Sequence, residues 1–239
     1  MRAVQIVIII LTILYVVGII GLSLPMFTEF VHLTPANLIL SFVLVMYFHE
    51  PQDLRLWGFV LLCFVVGFGV EVLGVNYGLL FGDYAYGPVL GFKIADTPFL
   101  IGINWVLLVY SSGVTVNFLF HRLSRILKAL LGATFMVALD YWIEPVAVRL
   151  DFWYWEEMEI PLQNYAAWWG VGLLLHLAFQ ELLPGADNKV GVVLFFLQWL
   201  FFVTLTFTLQ YFNFHASAIV YCHYAFDDPG YGIRGLGGT

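Results

Sequence analysis

Apolar runs roughly twenty residues long recur along the chain, divided by short polar or Gly/Pro-rich breaks. The pattern predicts membrane-spanning helices over 4–24, 35–49, 55–75, 98–118, 125–143, 165–183 and 190–212. Arg125 and Lys128 bound the fifth at one end. Pro145 follows it at the other, where a missing N–H and a clash with the carbonyl of Tyr141 predict a kink or an end. Two longer breaks, about 76–97 and 144–164, are rich in aromatics, Gly and Pro. The expected fold class is all-α, a polytopic integral membrane helical bundle of about seven transmembrane helices, with residues 1–239 as a single membrane domain.

Composition sharpens this picture. The chain is 62% hydrophobic, 18% aromatic and only 10% charged, with mean hydropathy +0.92. A soluble domain carries about a quarter charged residues. The first run, "MRAVQIVIIILTILYVVGIIGLSLP", starts like a signal peptide but is long and lacks a small-residue cleavage site, so it reads as a retained span. The net charge of −7 and the lack of a Lys/Arg cluster with interleaved aromatics exclude a nucleic-acid partner.

Alternating spans place Arg2, Arg55, Arg122, Arg125, Lys128 and Lys189 on one side and Lys93, Arg149 and Arg234 on the other. That excess predicts a multi-pass cell-membrane protein with a cytoplasmic N-terminus. Most acidic residues, and both long loops, then belong to the outer side.

Three stretches hold chemistry. In "GFGVEVLGVNYGLLFGDYAYGPVLG", Gly67, Glu71, Gly74 and Gly78 share one helical face. Glycines let another helix approach closely, so Glu71 is expected to face protein rather than lipid. Burial disfavours the charged form of such a carboxyl, which is then able to donate a proton. The bland alternative is a structural Glu bonded to a nearby carbonyl. In "LDYWIEPVAV", Asp140 and Glu144 lie one turn apart, where like charges resist joint ionisation. The carbonyl freed by Pro145 offers water a partner, which suits hydration or proton transfer. Solvated acids at a helix end are the alternative. In "LDFWYWEEMEIPLQNYAAWW", Trp153, Trp155, Trp168 and Tyr165 either belong to an interfacial belt or steady a cation, while Gln163 and Asn164 are placed to orient a water.

Other signals are weaker. Cys63 reads as a small buried residue, and Cys63 and Cys222 have no zinc or redox spacing. The histidines lack the clusters of a di-iron oxygenase, so no metal is expected. Tyr221–Gly232 reads as a turn-rich tail. No P-loop, G-x-G-x-x-G or nucleophile elbow is present, so neither a nucleotide cofactor nor acyl transfer is indicated.

Two blocks, "EVLGVNYGLLFGDYAYGPVLGFKIADTPFLIGINW" and "ALDYWIEPVAVRLDFWYWEEMEIPLQNYAAWW", resemble the carotenoid hydratases of the γ-carotene or bisanhydrobacterioruberin (CruF) type. The resemblance implies a membrane enzyme that adds water to the C1–C2 double bond of an acyclic carotenoid end group without a cofactor. The substrate, lycopene or γ-carotene-like, would lie in the bilayer among membrane lipids, with other enzymes of the carotenoid pathway as further partners.

Acid hydration protonates the less substituted carbon, and water captures the tertiary cation. Our role assignments give Asp140 as proton donor, with Glu71 or Glu144 holding it protonated or orienting water. Tyr84, Tyr86, Trp105, Trp153, Trp155, Asn164, Tyr165 and Trp168 line the substrate slot. A membrane lycopene cyclase shares the protonation step, and a seven-span pigment-binding protein without turnover is the non-enzymatic alternative. A retinal protein is disfavoured, because 190–212 contains no lysine.

Overall fold

The chain is described by a computed structural model covering residues 2–156 and 159–227, with residues 25–28 and 211–227 described as backbone alone. Seven α-helices dominate: α1 (Arg2–Ser23), α2 (Thr34–Tyr47), α3 (Leu54–Tyr77), α4 (Leu100–Leu119), α5 (Arg125–Arg149), α6 (Leu162–Leu182) and α7 (Lys189–Asp227). A 3₁₀ segment, Pro25–Leu33, joins α1 to α2. Among the described residues, six helical stretches are long and apolar enough to cross a bilayer, the second being Glu29–Tyr47 and the last Lys189–Gln210. The fold is therefore an all-α polytopic membrane bundle. α6 falls short on hydropathy alone, because it carries Asn164, His176 and Gln180. All three are turned inward and buried, where polar groups find partners.

Local signals start and stop the helices where the chain needs turns. Asp53 caps α3, its side chain accepting from the backbone N–H groups of Arg55 (3.0 Å) and Leu56 (3.1 Å). Gly78 ends α3 in the left-handed region at φ 60°. Ser124 caps α5 through Leu127 N–H at 3.4 Å.

Contacts between the helices fix which ends lie together. α4 is the central helix, buried along nearly its whole length. Asn188 donates to the carbonyl of Val45 at 2.8 Å, and Asn117 donates to that of Ala186 at 3.2 Å. These bonds bring the ends of α2 and α4 to the start of α7. Arg125 pairs with Glu181 at 2.9 Å across antiparallel α5 and α6. At the opposite end, the α3–α4 and α5–α6 loops meet.

Their meeting is an antiparallel ribbon of two short strands, β1 (Tyr84–Tyr86) and β4 (Trp153–Trp155). A second small pair, β2 (Lys93–Ile94) and β3 (Thr97–Pro98), lies within the α3–α4 loop. Tyr84 pairs with Trp155, Ala85 with Tyr154 and Tyr86 with Trp153. Strand side chains alternate, so the two Trp and two Tyr share one face while Ala85 and Tyr154 take the other. Trp153 and Trp155 are accordingly buried and Tyr154 exposed.

Two sequence expectations are corrected. α5 neither ends nor is interrupted at Pro145 but continues to Arg149. The proline removes one rung, and the buried side chains of Ile143, Val146 and Ala147 hold the helix in the bundle on either side of it. α7 likewise runs on through Asp227, so the first part of the expected turn-rich tail is helical. The rest of that tail, together with Glu157, Asp228, Arg234 and the side chains of His215, Cys222 and His223, lies outside the described residues.

The ribbon depends on Gly87. A Cβ there would sit 1.9 Å from the carbonyl oxygen of Asp151, beside the bond from Gly87 N–H to Phe152 at 2.9 Å. Gly87→Ala is therefore expected to part the two loops. Limited proteolysis in detergent should cut the 150–161 loop faster in this variant than in the parent, with the helices left intact.

Candidate active site

Glu71 lies on the buried stripe Gly67, Glu71, Gly74 of α3. The two glycines admit rings rather than another helix backbone. A Cβ on Gly67 would fall 2.4 Å from the Trp105 ring, and one on Gly74 would fall 2.8 Å from the Tyr84 hydroxyl. Those rings reach Glu71 because the glycines leave them room. Tyr84 and Tyr86 donate to Glu71 Oε2 at 2.5 and 2.7 Å, and Trp105 Nε1 donates to Oε1 at 2.9 Å.

Glu144 is held in a parallel way from the other strand. Trp153 and Trp155 donate to its Oε2 at 2.9 and 3.0 Å, and Asn164 donates to Oε1 at 2.9 Å. One ribbon therefore serves two carboxyls, β1 supplying Glu71 on α3 and β4 supplying Glu144 on α5. Both are almost fully buried, at 2% and 1% exposed. Aromatic packing fixes the donors: Tyr84 lies 5.1 Å from Trp155, Tyr86 6.0 Å from Trp153, and Trp105 stacks on Trp168 at 4.2 Å.

The donors differ in kind. Indole N–H groups only donate, so the pair on Glu144 Oε2 suits an oxygen that carries no proton. Hydroxyl groups can donate or accept, so the two tyrosines suit Glu71 either ionised or protonated. Burial, and then the charge of Glu71, push the Tyr84 and Tyr86 phenols up from their ordinary value. Both therefore keep their protons across neutral pH.

Glu71, Tyr84, Tyr86, Glu144, Trp153, Trp155, Asn164 and Trp168, together with Phe81, Ile101 and Asn104, enclose a cavity of about 20 Å³. That is room for one water, with polar partners to hold it. A larger, mostly apolar groove of about 290 Å³ adjoins it, walled by side chains of α1, α2, α4 and α7 with Leu90 and Phe152. Ile101, Asn104 and Trp153 line both spaces. A greasy groove and a small acidic chamber thus lie side by side, with three residues common to their walls.

Of the residues singled out from sequence, the structure gathers nine here. Asp140, the expected proton donor, is not among the chamber's lining residues. It is 1% exposed on α5, and its Oδ2 has no hydrogen-bond partner among the described residues. Lying four residues back from Glu144, it is about 6 Å farther from the ribbon. Tyr165 also stands apart, its ring 6.1 Å from that of Tyr141. Gln163 is exposed. Asn104 went unnoticed in the sequence, where a lone amide next to Trp105 gives no signal. Among the described residues, no group of three His, Cys, Asp or Glu is placed to hold a metal.

Removing the Glu144 carboxyl would strand three buried donors. Glu144→Leu is expected to destabilise the fold by about 1–3 kcal/mol for each donor left unsatisfied. Glu144→Gln keeps one acceptor oxygen and should cost less. Thermal unfolding in detergent, followed by tryptophan fluorescence, should rank parent, Gln and Leu in that order.

Comparison with known proteins bears directly on this geometry. The family described as "Carotenoid biosynthesis protein" matches residues 33–225. A bisanhydrobacterioruberin hydratase from Haloarcula japonica is 30% identical over 118 residues, which is 47% of this chain and 40% of that relative. The aligned stretch thus spans less than half of the relative's length. No solved structure matches the chain. The family match takes in both carboxyl-bearing helices, the ribbon and the chamber, and so agrees with the resemblance carried by Glu71–Trp105 and Ala138–Trp169: the chain belongs to the carotenoid biosynthesis protein family.

Proposed function

We propose that the chain is a carotenoid 1,2-hydratase acting on an acyclic end group that enters the chamber from the apolar groove. The observation that carries this reading is the shared cavity. Glu71 and Glu144 line one space with room for a water, and that space shares three lining residues with a groove suited to a hydrocarbon chain. The hydratase name of the Haloarcula relative supports the same chemistry.

In this mechanism Glu71 begins protonated and Glu144 ionised. The Glu71 proton passes to C2 of the end group, directly or through a Tyr84 or Tyr86 hydroxyl. The π electrons form the new C–H bond, leaving a tertiary cation at C1. The faces of Trp168, Trp153 and Trp155 steady that charge. A water oxygen bonds to C1, and Glu144 takes the proton it releases. Moving that proton from Glu144 to Glu71 across the chamber restores the start. The sum is one H on C2 and one OH on C1.

Asp140, outside the chamber, has no direct step in this scheme. The same reading places the chain in the cell membrane with the N-terminus cytoplasmic, on the charge bias of the loops, and treats it as one domain.

A cyclase would begin with the same protonation, but an alkene of the substrate would then capture the cation. The pocket for water beside Glu144 favours hydration. Expression in cells that accumulate lycopene or γ-carotene, followed by pigment mass analysis, separates the readings. A hydratase yields a product heavier by one water, a cyclase an isomer, and a binding protein no new pigment. Glu71→Gln and Glu144→Gln are each expected to lower conversion by about 10²–10⁴-fold, with Asp140→Asn nearer the parent. A parent-like rate in both Gln variants would overturn the assignment.

A further inference from the structure

We infer that Asn104 holds the water that captures the cation, an inference resting on the hydratase reading above. Asn104 is half-buried on α4, where the apolar groove meets the acidic chamber, and it lines both. The next residue, Trp105, is committed to Glu71. The amide of Asn104 makes no side-chain hydrogen bond to any other described residue. Asn164, the amide expected from sequence to orient a water, commits its nitrogen to Glu144 at 2.9 Å and does not reach the groove.

Acceptor counting shows what the free amide does. An ionised carboxylate offers about four acceptor sites. Trp153, Trp155 and Asn164 fill three on Glu144, so one remains for a water. A water that donates one hydrogen to Glu144 needs a second acceptor for the other. The Asn104 carbonyl oxygen is a free acceptor on a residue that lines both the chamber and the groove, whereas Asn164 lines the chamber alone. With both hydrogens held, the water's lone pair is left to face the groove, where the end group arrives. An amide N–H aimed at the same oxygen would tie up that lone pair, so the carbonyl is the productive half of the side chain. Asn104 therefore acts on the captured atom and not on the proton delivered by Glu71.

This division predicts that protonation and capture come apart. In a variant lacking the acceptor, the cation still forms but has no placed water. It loses a proton and regenerates alkene. In D₂O, a cycle that loses the original C2 hydrogen, or one from a methyl on C1, in place of the deuteron just delivered leaves deuterium at C2 of the recovered hydrocarbon. The test uses purified full-length protein in D₂O-equilibrated detergent or vesicles, with lycopene as probe, and reads both product and recovered substrate by mass spectrometry.

Asn104→Leu is expected to lose hydration by at least about tenfold while deuterium still enters the unreacted lycopene. Asn104→Ser, which keeps a small acceptor, should recover part of the hydration. Glu71→Gln should lose both signals. Hydration at the parent rate in Asn104→Leu would overturn the role of Asn104 while leaving the hydratase reading in place. Loss of exchange together with hydration in both Asn104 variants would also overturn it, since the residue would then serve protonation or folding. If the parent itself yields no hydrated product, the hydratase reading fails instead.

Discussion

Two carboxyl groups buried inside a membrane bundle need hydrogen-bond donors, and meeting that need organises this end of the molecule. An unpaired charge in such a place is too costly to keep. Here Glu71 receives Tyr84, Tyr86 and Trp105, while Glu144 receives Trp153, Trp155 and Asn164. Four of the six donors come from a ribbon that neither loop forms alone, and Trp105 and Asn164 come from α4 and α6. Strand pairing couples the two carboxyls, because the register setting Tyr84 against Trp155 also sets the spacing of the two donor sets.

The same arrangement separates two environments. The groove is walled mainly by Leu, Ile, Val and Phe, and it offers a hydrocarbon chain the contacts lipid would give. The chamber is small, aromatic and acidic. Aromatic rings suit that boundary, since their faces are apolar toward the groove while their N–H and O–H edges bond the carboxyls. Rings that pack the site thus also hold its acids in place. The Trp105–Trp168 stack and the glycines at 67 and 74 belong to this design, because each glycine clears the volume a ring needs to reach Glu71 or to pack beside it.

Away from the site, buried polar side chains behave as structural ties. His176 accepts its place between Ser112 (2.8 Å) and the carbonyl of Gly172 (2.7 Å), with Gly132 giving its ring room. Tyr110 joins His49 and Asn188 at the far end of the bundle. Burial holds His49 below its ordinary value, so it stays neutral at pH 7 and serves as a hydrogen-bonding group. These ties fix helix ends against one another, and a rigid frame lets two loops meet in a defined register.

The hydrophobic pattern by itself determined the helices, since runs of that length have few other uses, and it marked Glu71, Asp140 and Glu144 because acids are so rare in or beside them. It also flagged the Tyr and Trp residues of both loops, though as an interfacial belt or a cation pocket without a choice between the two. Only the tertiary structure turned them onto the two carboxyls, by pairing 84–86 with 153–155, a contact between segments far apart in the chain that no local periodicity encodes. It likewise left Asp140 out of the chamber that Glu144 lines, one turn away on α5. Four residues of helix place both on nearly the same face, but one turn of rise puts Glu144 within reach of the ribbon and leaves Asp140 beneath it. Asn104 was invisible for the same reason: an amide becomes informative only when its neighbours are known and it is seen to be free.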